Sequence, residues 1–206
     1  MLTIGLTGPT GAGKGAVSSL LARYGIPSID TDAVYRELLV PPSPLLEELA
    51  ATFGAEILTP SGELDRVALS AQVFGSGQRD QLELLNSVTH PHILNEVRRR
   101  LAVYAKSWRD TGEPIAVMVD APQLYESGFD RECEIICSVL APKKTRLARI
   151  MERDGMTEER ARARMNAQRS DSFYRKAGYV IVNDGDMEEL EEEVSRFFCY
   201  VRQIGG

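Results

Sequence analysis

The chain has very little from which to build a protein-held metal cage or a disulfide frame. Among 206 residues there are three cysteines, Cys133, Cys137 and Cys199, and two histidines, His90 and His92. No C-x-x-C pair occurs and the cysteine count is odd, so no zinc ribbon and no disulfide framework is implied. Cys133 and Cys137 flank or lie in an expected strand and read as buried thiols. Basic charge is also short. Against 30 Asp and Glu stand 24 Lys and Arg, a formal net charge of -6, which gives no support to nucleic-acid binding. The longest basic run, Arg98-Arg99-Arg100, lies on an expected helix and reads as a solvated face. No apolar run approaches the length of a membrane span. The first residues lead straight into a strand, with no basic segment ahead of an apolar one, which speaks against a signal peptide. The expectation is a cytoplasmic protein with no nucleic-acid or membrane partner. Internal repeats and low-complexity linkers are missing too. What remains, 43% hydrophobic and 26% charged residues, is the balance of one globular domain with a sizeable core.

A further absence sits inside the most informative segment. Gly8-Pro9-Thr10-Gly11-Ala12-Gly13-Lys14 matches G-x-x-x-x-G-K, the start of a Walker A phosphate loop. The motif continues with Ser or Thr; here the residue is Gly15. The context is the one the motif requires. Residues 2–7 are largely apolar and partly β-branched, as a buried strand should be, and Val17, Leu20, Leu21 and Tyr24 recur at helical spacing. The glycines let the backbone turn tightly and point N–H groups inward, and a helix N-terminus adds positive potential. Lys14 supplies a formal charge for the β- and γ-phosphates. In a complete motif the final hydroxyl is a direct Mg²⁺ ligand. Neither Thr10 nor Ser18 stands at the right offset to replace it. Two readings stay open: water fills the position, which Mg²⁺ tolerates because it keeps several waters, or catalysis is weakened or lost.

Strands are expected at residues 2–7, 27–30, 115–120, 134–140 and 179–183, alternating with helical patterns. That order predicts an α/β fold of P-loop NTPase type, a three-layer α/β/α sandwich with a parallel sheet whose strand C-termini share one ligand-binding edge. The spacing between the second and third strands is too long for one crossover. Residues 41–110 read as a helical insertion: a helix over 43–53, a turn at Pro60-Ser61-Gly62, a helix over 65–74 capped by Asp65, and a long helix from about Gln78 toward Trp108 through Pro91. Residues 142–177 form a second helical block with Arg146, Arg149, Arg153, Arg160, Arg162, Arg164, Arg169 and Arg175, broken at Gly155 and recapped at Thr157. Arg146, Arg149 and Arg153 fall on one helical face, and so much positive charge in an acidic protein points to phosphate binding. In the last helix Leu190, Val194, Phe197 and Val201 make an apolar stripe, so the run Glu188 to Glu193 is a solvated face. The single domain then divides into a core (1–40, 111–141 and 178–206), the insertion (41–110) and an arginine-rich lid (142–177).

Candidate carboxylates sit at strand ends. In a continuing strand, Asp30 and Asp32 of Ile29-Asp30-Thr31-Asp32 would point the same way. A carboxylate there can accept a hydroxyl proton or hold Mg²⁺ through water; the other reading is helix capping, which suits Asp30 better than Asp32. Asp120 ends an apolar strand and reads either as an indirect Mg²⁺ ligand of Walker B type or as a structural turn aspartate.

Taken together, these segments resemble the dephospho-coenzyme A kinase family over nearly the whole chain. The resemblance is carried by Ile4-Gly5-Leu6-Thr7-Gly8, the loop through Lys14, and Ile29-Asp30-Thr31-Asp32 with Arg36. Further pieces are Phe53-Gly54, Gly62-Glu63-Leu64-Asp65-Arg66, His90-Pro91-His92-Ile93, Asp120-Ala121-Pro122-Gln123-Leu124-Tyr125-Glu126-Ser127-Gly128, Arg149, Arg153-Asp154, Gln168 and Val180-Ile181-Val182-Asn183. It implies ATP-dependent transfer of phosphate, with Mg²⁺, to the ribose 3′-hydroxyl of dephospho-CoA. It implies that Asp32 orients or deprotonates that hydroxyl, and that Lys14 and Arg149 act on the transferring phosphate. Gly11, Ala12, Gly13, Lys14, Gly15, Ala16 and Arg153 would bind ATP. Thr7, Asp32, Arg36 and His90 would bind the acceptor. The chain departs from the family's pattern at Gly15, at Ala16 (usually Thr) and at Gln123 (usually aliphatic). Two other functions remain open from sequence: a non-catalytic nucleotide- or CoA-binding protein, and another small-molecule kinase.

Overall fold

The computed structural model describes residues 1–73 and 79–205, without the side chain of Arg79. The expected helix end at Phe74 and helix start near Gln78 lie outside the described residues. Five strands, β1 (Leu2–Thr7), β2 (Ser28–Asp30), β3 (Ala116–Asp120), β4 (Ile135–Leu140) and β5 (Tyr179–Val182), form one sheet of order β2-β3-β1-β4-β5. β1 runs parallel to both β3 and β4, and β4 runs parallel to β5. The helices are α1 (Lys14–Arg23), α2 (Thr31–Leu38), α3 (Pro44–Phe53), α4 (Arg66–Val73), α5 (Arg79–Thr111), α6 (Lys143–Asp154), α7 (Glu158–Asn166), α8 (Asp171–Tyr174) and α9 (Met187–Gly205).

The chain divides into two compact units, Met1–Ile29 with Leu101–Gly206, and Asp30–Arg100. In the first, Ile4, Leu6, Val117, Met118, Val119, Cys137 and Val139 have no exposed surface. Strands this apolar on both faces belong in the middle of a covered parallel sheet. Val17, Leu20 and Leu21 of α1 and Leu190, Val194, Phe197 and Val201 of α9 pack with Ile4, Leu6, Met118 and Cys137 into one core. Side chains alternate along a strand, so Asp120 continues the row of Ala116 and Met118 and lies on the face that α1 covers. Thr7 stands in register with Ser138 on the opposite face, and both are fully buried. Cys137 is buried and Cys133 half-buried, and burial is the main force pushing the Cys133 thiol up to about 12. Burial raises Cys137 as well, so neither is a nucleophile at neutral pH.

The second unit has its own core, in which Leu45, Leu46, Leu49 and Phe53 of α3 meet Ile57, Leu69, Val73 and Val88. Its helix starts follow the sequence. Ser43 Oγ accepts from Leu46 N at 3.0 Å with Pro44 as the first helical residue, and Asp65 Oδ1 accepts from Val67 N and Ala68 N at 2.9 and 3.0 Å. α5 continues through Pro91 to Thr111.

Candidate active site

The loop between β1 and α1 is shaped by three glycines that cannot be replaced in place. Gly8, Gly11 and Gly13 have φ of 142°, 76° and 97°. A Cβ on them would lie 2.3 Å from Val139 O, 2.7 Å from Arg146 O and 2.1 Å from Asn183 Nδ2, respectively. Both the backbone conformation and the surroundings exclude a side chain there. Gly15 is different. It is exposed, lies in α1 with no positive φ, and a Cβ on it would meet nothing within 4 Å. The missing hydroxyl is therefore not imposed by space. Gly13 caps α1 without a side-chain bond, which leaves the helix start open to an anion. Lys14 Nζ donates to Gly8 O at 3.2 Å, so its charge is folded across the loop.

The arginine block reaches this loop, and its three same-face arginines meet three different fates. Arg149 points its guanidinium at the loop: Nη1 is 3.5 Å from Ala12 O and 3.4 Å from Asn183 O, and Nη2 is 3.3 Å from Asn183 Oδ1. Among the described residues it has no carboxylate partner, so its charge meets only neutral oxygens. Arg146 is 3% exposed and donates to Asp171 Oδ1 at 3.0 Å, tying α6 to α8. Arg153 forms a two-point pair with Asp154 at 2.7 and 2.8 Å, and Arg164 joins the same carboxylate at 2.7 Å. The Arg153 hydrogen bond is the main force holding Asp154 below the usual carboxylate range. The break between α6 and α7 lies where the sequence places it, with Gly155 in the left-handed region at φ 61° and Thr157 Oγ1 3.5 Å from Arg160 N.

Two further residues shape the loop, and the sequence reading gave neither a role. Gln168 Oε1 accepts from Thr10 N at 2.9 Å, and Asn183 Nδ2 donates to Ala12 O at 2.9 Å. Asn183 had a detectable signal: a polar residue ending an apolar strand on the ligand edge. Gln168 had none beyond the resemblance, because it follows the last turn of α7 and belongs to no periodic pattern.

Three of the acceptor-side candidates, Asp32, Arg36 and His90, belong to the second unit. Asp30 caps α2, its Oδ1 accepting from Asp32 N at 2.8 Å and Ala33 N at 3.1 Å, while Arg36 Nη2 approaches its Oδ2 at 3.9 Å. The expectation that Asp30 and Asp32 share one side of a strand is corrected here. β2 stops at Asp30 because that cap starts a helix at once, so Asp32 stands in the first turn of α2. Asp32 and Arg36, four residues apart, share a helix face. His90 is half-buried on α5, and the neighbouring His92 Nε2 lies 2.7 Å from Glu48 Oε2. In the first unit Thr7 ends β1 and Asp120 ends β3.

A glycine loop between β1 and α1 on this sheet, with a lysine folded over it and an arginine helix reaching it, defines a P-loop kinase. The profile of the dephospho-CoA kinase family matches residues 2–189. The chain is similar to the dephospho-CoA kinase of Corynebacterium glutamicum, 39% identical over 202 residues that cover 98% of each protein. Among solved structures it is similar to a protein of Thermus thermophilus, with TM-score 0.79 and 30% identity over 97% of each chain. It shares its fold with the dephospho-CoA kinase of Campylobacter jejuni, with TM-score 0.69 and 22% identity over 99% of this chain and 98% of that one. The chain belongs to the dephospho-CoA kinase family, whose members are ATP-dependent kinases. No described helix is long and apolar enough to cross a membrane.

Proposed function

We propose that the protein transfers the γ-phosphoryl group of ATP to the ribose 3′-hydroxyl of dephospho-CoA. The observation that carries this reading is the pairing of an open phosphate cradle with the Arg149 guanidinium, which faces the cradle with no carboxylate partner among the described residues. Phosphoryl transfer is mostly positioning and charge stabilisation, and these are the groups it needs. The backbone of Gly11, Ala12, Gly13, Gly15 and Ala16 would hold the ATP phosphates, with Lys14 leaving Gly8 O for the β- and γ-oxygens. Arg149 would stabilise the charge that spreads over the transferring group. Arg153 would join it after giving up Asp154, an exchange of one anion for another. Asp32 would orient the attacking hydroxyl and accept its proton. Thr7, Arg36 and His90 would hold the acceptor, with the Asp30–Arg100 unit binding its CoA portion. A kinase of two dissolved metabolites belongs in the cytoplasm.

The residues fit a Mg²⁺ ion that arrives with the nucleotide. Among the described residues no group of three or more His, Cys, Asp or Glu forms a cage. Asp120 offers one hard oxygen donor on the α1 side of the sheet, and the space beside Gly15 is open to water. Mg²⁺ prefers such a set of few protein oxygens, phosphate oxygens and waters. When bound, it would neutralise charge on the β- and γ-phosphates.

The test is ADP release from ATP with dephospho-CoA, shikimate or a nucleoside monophosphate as acceptor. Release stimulated by dephospho-CoA alone is expected. A second reading, a binding protein without turnover, rests on Gly15; it requires calorimetric binding of ATP and dephospho-CoA with no product.

A further inference from the structure

We propose that Asn183 is a positioning residue that fixes the Arg149 guanidinium against the phosphate loop. Asn183 is 5% exposed and follows the last residue of β5. Its backbone N–H donates to Leu140 O at 2.7 Å, extending the β4–β5 ladder, so the sheet sets its place. From there its side chain meets two other elements. Nδ2 donates to Ala12 O at 2.9 Å, and Oδ1 accepts from Arg149 Nη2 at 3.3 Å, while its carbonyl accepts from Nη1 at 3.4 Å. One amide thus joins the sheet, the loop and α6.

The chemistry explains why an amide stands here. The loop presents a carbonyl and the lid presents a guanidinium, so the bridging side chain needs one donor and one acceptor at its tip. A carboxylate would set oxygen against the Ala12 carbonyl, and an aliphatic side chain would remove the shorter of the two hydrogen bonds to that carbonyl and the side-chain acceptor of Arg149 Nη2. The bridge also explains Gly13, because a Cβ at that position would lie 2.1 Å from Asn183 Nδ2. The contacts to Arg149 are at the long end of hydrogen bonding, which orients the guanidinium while leaving its charge available to a phosphate. This role rests on the proposed function insofar as Arg149 serves phosphoryl transfer.

The test is a double-mutant cycle of Asn183→Ala and Arg149→Ala with kcat and both KM values measured. Asn183→Ala should lower kcat roughly tenfold, the size of one lost charge-assisted hydrogen bond, and leave KM for dephospho-CoA within about twofold. On the Arg149→Ala background the same change should cost less than about threefold, because its target is gone. An equal loss on both backgrounds overturns the proposal, as does lowered thermal stability with kcat unchanged. If Asn183→Ala does not fold, the isosteric Asn183→Asp decides. It sets a carboxylate against Arg149 and loses the donor to Ala12, so kcat should fall about tenfold or more and KM for ATP should rise, with most of the kcat loss gone on the Arg149→Ala background. An unchanged kcat, or the same loss of kcat on the Arg149→Ala background, would overturn the role. If the unmodified protein has no turnover with dephospho-CoA, the functional reading fails on its own. The same cycle is then read as ATP affinity by calorimetry, where non-additive losses support the bridge and additive losses overturn it.

Discussion

The Thr10 amide donates to Gln168 Oε1 at 2.9 Å, so the segment after α7 closes directly onto the phosphate loop. A loop amide is thereby occupied by the protein itself, and the segment after α7 is tied to the β1–α1 loop. Gln168→Ala should cost about 1 kcal/mol in a denaturant titration, the usual net value of one hydrogen bond, and raise KM for ATP a few-fold. An unchanged KM for ATP would mean that the tie serves stability alone.

The loop glycines should separate sharply on substitution. Gly13→Ala forces a Cβ into φ 97° and onto the Asn183 amide, and it should destabilise the protein by more than about 2 kcal/mol and abolish tight ATP binding. Gly15→Ser meets open space in α1 and replaces the poorest helix former but proline, so it should be neutral or stabilising by about 0.5 kcal/mol. It should also lower the Mg²⁺ concentration needed for half-maximal turnover, because a direct oxygen ligand is restored. Thermal melts and a Mg²⁺ titration of both variants check this pair.

Asp32→Asn should lower kcat by about a hundredfold or more, in line with loss of a general base, while the Kd for ATP stays within about threefold. Parallel calorimetry and kinetics make the comparison. Equal loss of ATP affinity would assign Asp32 to the metal or the fold.

Acid should weaken the second unit through α5. The Arg99 hydrogen bond, aided by Arg100, holds Glu96 down at about 2 from an ordinary 4.5. Arg100 also engages Glu37. A carboxyl depressed on folding stabilises the native state above its unfolded value and loses that contribution as pH falls toward its folded value. The window is therefore about pH 4.5 down to 2. Between pH 5 and 3 the unmodified protein should lose more of its denaturant midpoint than Glu96→Gln does. Parallel curves for the two proteins would contradict this.

What was legible in the sequence was what local pattern controls. The strand before Gly8 and the stripe after Lys14 located the loop, the alternation of elements gave the parallel sheet, and Ser43, Asp65 and Thr157 marked helix starts by capping chemistry. Asp30 shows the limit of that reading. Strand alternation and capping made opposite claims on one tetrapeptide, and the cap prevailed because two backbone N–H groups gain an acceptor at once. Helical period correctly put Arg146, Arg149 and Arg153 on one face, but it could not separate them. Their partners Asp171, Asn183 and Asp154 come from other elements or from the helix end. Gln168 and Asn183 were least legible as functional, since their bonds to the loop join residues 158 and 171 positions apart. Only the folded chain brings such pairs together.

The central claim is that a chain with Gly15 in place of the motif's hydroxyl residue still performs the transfer. The most direct measurement is formation of CoA and ADP from dephospho-CoA, ATP and Mg²⁺ by the unmodified protein, run beside Gly15→Ser. The account predicts stoichiometric CoA and ADP from both proteins, with the variant faster at low Mg²⁺. Product from the variant alone, with the unmodified protein at background, would contradict it.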